Sequence, residues 1–299
     1  IDSDTPLTPA QSLGYCAARI INQRVHGKVI GLTSRGVFLA VEPDQILFLS
    51  GEIYQGPLTI NLAQRLDFRK HFNLGDTCDL SPEQLSFQKC RIKIPKGTRI
   101  WRPAPIVFTK DTWSAVLKRG RRLAADLVTA TQDGLFLPFL KAVCRRTEDG
   151  NPYHPPGESD LWAYLPGLYE GQPRDFTQHL LGLIGRGGGL TPSGDDFLVG
   201  FLLASHTLAV PNIKSETLNM LQTQILESAQ RKTTTLSANL MQCAAEGLAD
   251  ARVMNGLQWL AQGGMSLAQV KSDLLSYGSS SGVDSFAGML AAILRVVSR

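Results

Sequence analysis

The spacing of apolar residues changes character twice along the chain. Over residues 8–24, Leu13, Ala17, Ile20 and Ile21 recur at helical spacing and predict a short helix. From Gly27 the apolar runs become short and rich in β-branched and aromatic residues, at Gly27 to Leu32, Gly36 to Val41 and Gln45 to Leu49. Thr33-Ser34-Arg35-Gly36 and Glu42-Pro43-Asp44 punctuate them as turns, so hairpins follow. Runs at Leu58 to Leu62, Leu85 to Cys90 and Arg99 to Trp101 extend the set. Past Asp111 the period is helical: a helix to about Thr131, with Trp113, Val116, Leu117, Leu123 and Leu127 as its stripe and Asp111 or Thr112 as its cap, then 134–145 and Phe176 to Leu183. Asp196 to about Ala209 is apolar on every side and predicts a buried helix. Helices from Ser215, at 240–250 and 253–261, at Ser266 to Leu275 and after Asp284 finish the chain. The pattern is that of an α+β protein, with a small barrel-like β-rich domain over 1–107 and a larger, mainly helical domain over 108–299.

One stretch breaks the rhythm with concentrated chemistry. Gly185-Arg186-Gly187-Gly188-Gly189-Leu190-Thr191-Pro192-Ser193-Gly194-Asp195-Asp196 runs directly into the predicted buried helix. Its glycines free the backbone to take φ > 0 and to approach a ligand, and free N–H groups in such a turn form a cradle for an anion. Ser193 and the two aspartates also suit a helix N-terminus, where hydroxyls cap and negative charge is favoured, so capping alone explains part of the pattern. A C-terminal stretch echoes it: Ser193, Gly194, Asp196, Gly200 and Leu202 match Ser281, Gly282, Asp284, Gly288 and Leu290 at one constant offset. The echo predicts two hydroxyl-rich turns capping two apolar helices. Each turn has a glycine four residues after its aspartate for close helix packing, and one pocket lined by both turns would follow. The polar string Arg231 to Leu240, with Thr233, Thr234 and Thr235, reads either as a helix junction capped by hydroxyls or as a further face for an oxyanion.

Composition narrows the function classes. With 299 residues and 43% hydrophobic positions the chain has material for one large or two ordinary cores. A net charge of +4 without a long basic run argues against nucleic acid, and Lys118-Arg119-Gly120-Arg121-Arg122 reads as a solvated helix face. Five scattered cysteines without C-x-x-C spacing fit reduced thiols of a cytoplasmic protein. No basic start precedes an apolar leader, and the run Phe197 to Ala204 is too short to span a bilayer, so no membrane role is expected. His154, in the polar loop 147–160, and His179 each read either as a residue that reaches a site or as a solvated histidine. The phosphate-loop, zinc-protease and nucleophile-elbow motifs are absent, so the sequence specifies a site before it specifies a reaction.

The strings LIGRGGGLTPSGDDFLVGFLLA, TTTLSANLMQCAAEGLAD, GSSSGVDSFAGML and YQGPLTINL together resemble the AllH family, over about residues 10 to 295, with GLTPSGDD the specific part. The resemblance implies a subunit of an oxamate carbamoyltransferase acting in allantoin breakdown beside FdrA-like and AllG-like partners. Such an assembly converts oxalurate and phosphate into oxamate and carbamoyl phosphate, all small anions. The expected anion-binding residues are Gly187, Gly188, Gly189, Thr191, Ser193 and Gly194, with Thr234, Thr235, Ser281, Gly282 and Asp284 completing the pocket. Asp195 and Asp196 are the expected catalytic carboxylates, one of them positioning an amide nitrogen or a metal, and Asp196 is the ligand if that metal is magnesium. A free-standing phosphate- or nucleotide-binding enzyme and a non-catalytic metabolite sensor are the alternatives.

Overall fold

The computed structural model describes residues 8–108, 113–145, 173–208 and 215–297. The chain divides into two compact units, Ile1–Pro103 and Ala104–Arg299. The architecture is α+β, with a half-barrel sheet followed by a helical region.

The first unit is built on one nine-stranded sheet: β1 (Ala10–Gly14), β2 (Val25–Leu32), β3 (Gly36–Val41), β4 (Gln45–Ser50), β5 (Thr59–Leu62), β6 (Thr77–Leu80), β7 (Gln84–Phe87), β8 (Arg91–Lys93) and β9 (Arg99–Trp101), in the order β8-β7-β6-β2-β3-β4-β5-β1-β9. Pairing is antiparallel except at β4–β5 and β1–β9. Strands β6 and β7 alternate buried and more exposed positions, the period-two signature of a sheet with one face on a core. The helix expected over 8–24 is shorter: residues 10–14 form β1, and α1 covers Tyr15–Ile21. Sheet pairing overrides helical spacing there, because β1 fills the gap between β5 and β9. Sequence patterning also missed β6, β8 and the single turn α2 (Phe68–His71). The Thr33 to Gly36 turn is a hairpin connection, pinned by Thr33 Oγ1, which accepts from the amides of Arg35 and Gly36.

The second unit contains α3 (Trp113–Ala130), α4 (Leu137–Arg145), α5 (Pro173–Leu183), α6 (Ser193–Leu208), α7 (Ser215–Lys232), α8 (Thr235–Ala245), α9 (Ala251–Gln262), α10 (Leu267–Ser276) and α11 (Ser281–Val297). Asp111, Thr112, His154 and the 147–160 loop lie outside the described residues. The basic cluster on α3 is not wholly a solvated face. The Arg119 guanidinium donates to the carbonyls of Leu260 (2.9 and 2.6 Å) and Ala261 (2.9 Å) near the end of α9, where a cation meets the orphan acceptors of a helix C-terminus.

Two helices form the centre of this unit. Every residue from Gly194 to Ala204 on α6 and from Gly282 to Ile293 on α11 is buried. They cross almost backbone to backbone. A Cβ added at Gly200 would sit 1.8 Å from the Ser285 carbonyl oxygen, and one at Gly288 would sit 1.9 Å from that of Phe197. In the repeat, Ser285 is the counterpart of Phe197 and Gly288 that of Gly200, so the contacts are reciprocal, as a local two-fold demands.

Adding a methyl at either glycine must therefore part the helices. Gly200→Ala and Gly288→Ala are each expected to cost about 3 kcal/mol of stability in denaturant unfolding. Gly188→Ala, whose Cβ would enter open space, should cost less than about 1 kcal/mol. Equal losses at all three positions would contradict the packing described.

Candidate functional site

The glycine-rich turn links α5 to α6. Gly187 and Gly189 hold φ of 111° and 88°, which glycine adopts without strain. Residues 186–190 are exposed, and positions beside Gly188 and Gly189 are open. Among the described residues, the amides of Gly187, Gly188, Gly189, Leu190 and Thr191 donate to no protein acceptor. A surface run of five unclaimed donors beside a helix N-terminus is what an anion cradle requires.

The second turn meets the first. Thr191 Oγ1 and Ser281 Oγ lie 3.3 Å apart, so the hydroxyls of the two repeats face each other where α6 and α11 begin. Ser193 opens α6, as Ser281 opens α11. Gly194 and Gly282 serve differently. Their amides already donate to Arg186 O (2.8 Å) and Tyr277 O (3.0 Å), and added Cβ atoms would lie 2.1 and 2.0 Å from the carbonyls of Leu183 and Leu274. They are positions of close packing, with no donor left for a ligand.

The third polar segment arrives from the α7–α8 junction. Thr234 caps α8, accepting from the Ser237 amide at 3.1 Å, and donates its own proton to Leu190 O at 2.7 Å, which ties the tip of the glycine turn to this junction. Thr235 is exposed on the first turn of α8. Thr233, its neighbour, donates to Asp195 Oδ2. Asp195 Oδ1 accepts from the Gly185 amide at 2.7 Å, so this carboxylate staples both ends of the turn. Burial raises the Asp195 carboxyl above its ordinary range, against the pull of the Gly185 amide and the Thr233 and Ser237 hydroxyls.

Asp196 and Asp284 occupy equivalent places on the two helices, 2% and 0% exposed. Asp284 Oδ1 accepts from the Phe136 amide at 3.1 Å, while Oδ2 of both aspartates has no hydrogen-bond partner among the described residues. Buried acceptors with no donor are costly when charged. Burial pushes Asp196 up to about 8; the Ser281 and Thr191 hydroxyls pull it down, while the charges of Asp284 and Asp195 push it further up. Burial likewise pushes Asp284 up to about 6, opposed by the Phe136 amide and the Ser193 and Ser280 hydroxyls. Among the described residues no three His, Cys, Asp or Glu side chains converge as a group that could hold a metal ion.

Phe136 is the contributor that sequence reasoning passed over; Gly185 and Thr233 are read from the sequence as parts of the glycine turn and the threonine string, and the structure adds their bonds to Asp195. The Phe136 amide, remote in sequence from Asp284, left no signal.

The two units thus define an α+β protein whose helical half is organised by a duplicated serine-glycine-aspartate turn, with exposed amides above and buried carboxyls below. Residues 183–293 match the family model described as oxamate carbamoyltransferase subunit AllH, a stretch that contains both turns, all of α6 and most of α11. The AllH-like resemblance is borne out there, over a shorter span than 10 to 295, and the description is that of a subunit of an enzyme complex. No curated protein and no solved structure gave a significant match. No helix among the described residues is long and apolar enough to cross a membrane.

The raised carboxyls have a consequence for stability. The unfolded chain loses these protons near the ordinary 3.8, whereas the folded chain keeps them to about 6 and about 8. Folding therefore binds protons, and stability falls as pH rises through this window, by at most roughly tenfold in the folding constant per pH unit for each proton. Denaturant unfolding of wild type and Asp196→Asn between pH 6 and pH 8 should show the decline in wild type and a flatter profile in the variant. Parallel profiles would contradict the assignment.

Proposed function

We propose that this chain is the anion-holding subunit of an oxamate carbamoyltransferase-type complex and that its substrate contacts are made by the Gly187 to Thr191 turn. The run of amides from Gly187 to Thr191, which donate to no acceptor among the described residues and lie beside the Thr191 and Ser281 hydroxyls, carries this reading. The reaction implied by the resemblance joins a phosphate oxygen to the carbamoyl carbon of oxalurate and breaks that carbon's bond to nitrogen. The proton of hydrogen phosphate ends on the departing oxamate nitrogen. Negative charge is carried on oxygens throughout, and fixed N–H donors aimed at those oxygens stabilise it without reorganising.

In this reading Gly187, Gly188, Gly189 and Thr191 hold the anion, with Ser193 and Ser281 supplying hydroxyls. Asp195 keeps the turn in shape through Gly185 and Thr233. Asp196 and Asp284 lie underneath, and Thr234 anchors the tip. FdrA-like and AllG-like subunits are the partners expected to supply the remaining groups, in the cytoplasm and on the route of allantoin breakdown.

Thermal unfolding in phosphate, carbamoyl phosphate and oxamate, with and without magnesium, tests the cradle. Ligand at 100 times its dissociation constant should stabilise the chain by about 2.7 kcal/mol. Gly189→Val, which forces the turn out of its positive φ, should abolish the gain. Oxalurate phosphorolysis by the chain mixed with its two partners, and not by the chain alone, is the expected activity. Activity of the isolated chain would favour a free-standing phosphate- or nucleotide-binding enzyme, and full activity of a mixture carrying Gly189→Val would favour a metabolite sensor.

A further inference from the structure

The carboxyl pair beneath the cradle has no role in holding an anion directly, since a buried carboxylate repels one. Its geometry suits something else. Asp196 and Asp284 lie at equivalent positions of two helices in close contact, and each carries an Oδ2 that meets no donor among the described residues. Asp196 is influenced by the hydroxyls of Ser281 and Thr191, the same two groups that meet in the turn above.

The charged groups on the surrounding elements do not neutralise the pair. They include Asp195 on α6, Arg295 on α11, Arg186 in the turn, Asp133 before α4 and Lys141 on it, Arg121, Arg122 and Asp126 on α3, His179 on α5, and Arg231 and Lys232 at the end of α7. Arg186 donates to the Gly182 carbonyl and Arg295 lies over the Phe176 ring. Asp195 is the one of these that acts on Asp196, and it is itself anionic.

We propose that Asp196 and Asp284 form a single proton-holding pair, and that an anion bound at the Gly187 to Thr191 turn is taken up together with a proton at this pair. The inference rests on the cradle reading above. When the pair is fully ionised, the Thr191 and Ser281 hydroxyls turn their protons inward to Asp196. When it holds a proton, those hydroxyls are released to donate outward. An anion in the turn adds negative charge above the pair and favours its protonated form. Proton and anion therefore bind with mutual assistance, as linkage requires.

Sulfate is the suitable probe because it mimics phosphate and does not itself titrate near neutrality. Calorimetric titration of the full chain with sulfate, in buffers of different ionisation enthalpy between pH 7 and pH 9, reads both affinity and protons exchanged. Affinity should weaken as pH rises through about 8, toward a limit of tenfold per pH unit for one proton, and the buffer dependence should show net proton uptake. Asp196→Asn should flatten the affinity profile and abolish the uptake near pH 8, and Asp284→Asn, as a second variant, should move the uptake to lower pH. Sulfate binding with no proton uptake, or uptake unchanged in both variants, would overturn this inference and leave the cradle standing. No binding of sulfate, phosphate or oxamate at any pH would overturn both.

Discussion

The close crossing of α6 and α11 is the constraint on which the helical unit depends. Glycine at positions 200 and 288 lets each helix lie against a carbonyl of the other, and no side chain could replace it. Because the two helices begin with the same Ser-Gly-x-Asp pattern and touch reciprocally, their first turns are delivered to one place. Thr191 meets Ser281 there, and Asp196 finds Asp284. Removing the contact would separate two turns whose only sequence relation is a long-range repeat.

That delivery imposes an electrostatic cost that the site uses. Helix N-termini favour negative charge, yet burial at 2% and 0% exposure disfavours it more, as the upward displacement of both carboxyls shows. Asp195 differs from its neighbour because it has donors for both oxygens, the Gly185 amide and the Thr233 hydroxyl. Two adjacent aspartates thus divide the work: one fixes the shape of the turn, while the other takes part in a pair that is able to hold a proton.

Much of this was legible in the sequence. The buried nature of α6 and the glycines at 200 and 288 could be read from period and repeat, since they are encoded locally and twice. Residues 8–24 misled because helical spacing there competes with a sheet slot that only β5 and β9 define. Gly194 and Gly282 looked like cradle residues, but glycine serves close packing as well as ligand approach, and composition does not separate the two uses. Arg119 looked like part of a charged face; its acceptors, at the end of α9, lie far along the chain. Partners remote in sequence set both the Phe136 contact and the protonation of the carboxyl pair, and single-residue patterns carry no trace of them.

The two turns converge closely enough for Asp196 and Asp284 to titrate as neighbours. Carbon-13 NMR titration of the aspartate carboxyl groups in the intact chain, with Asp284→Asn as the reference, reads this coupling. One carboxyl should titrate near 8 in wild type and move to lower pH when Asp284 is neutral. Two carboxyls titrating independently near the ordinary aspartate value, indifferent to that substitution, would contradict it.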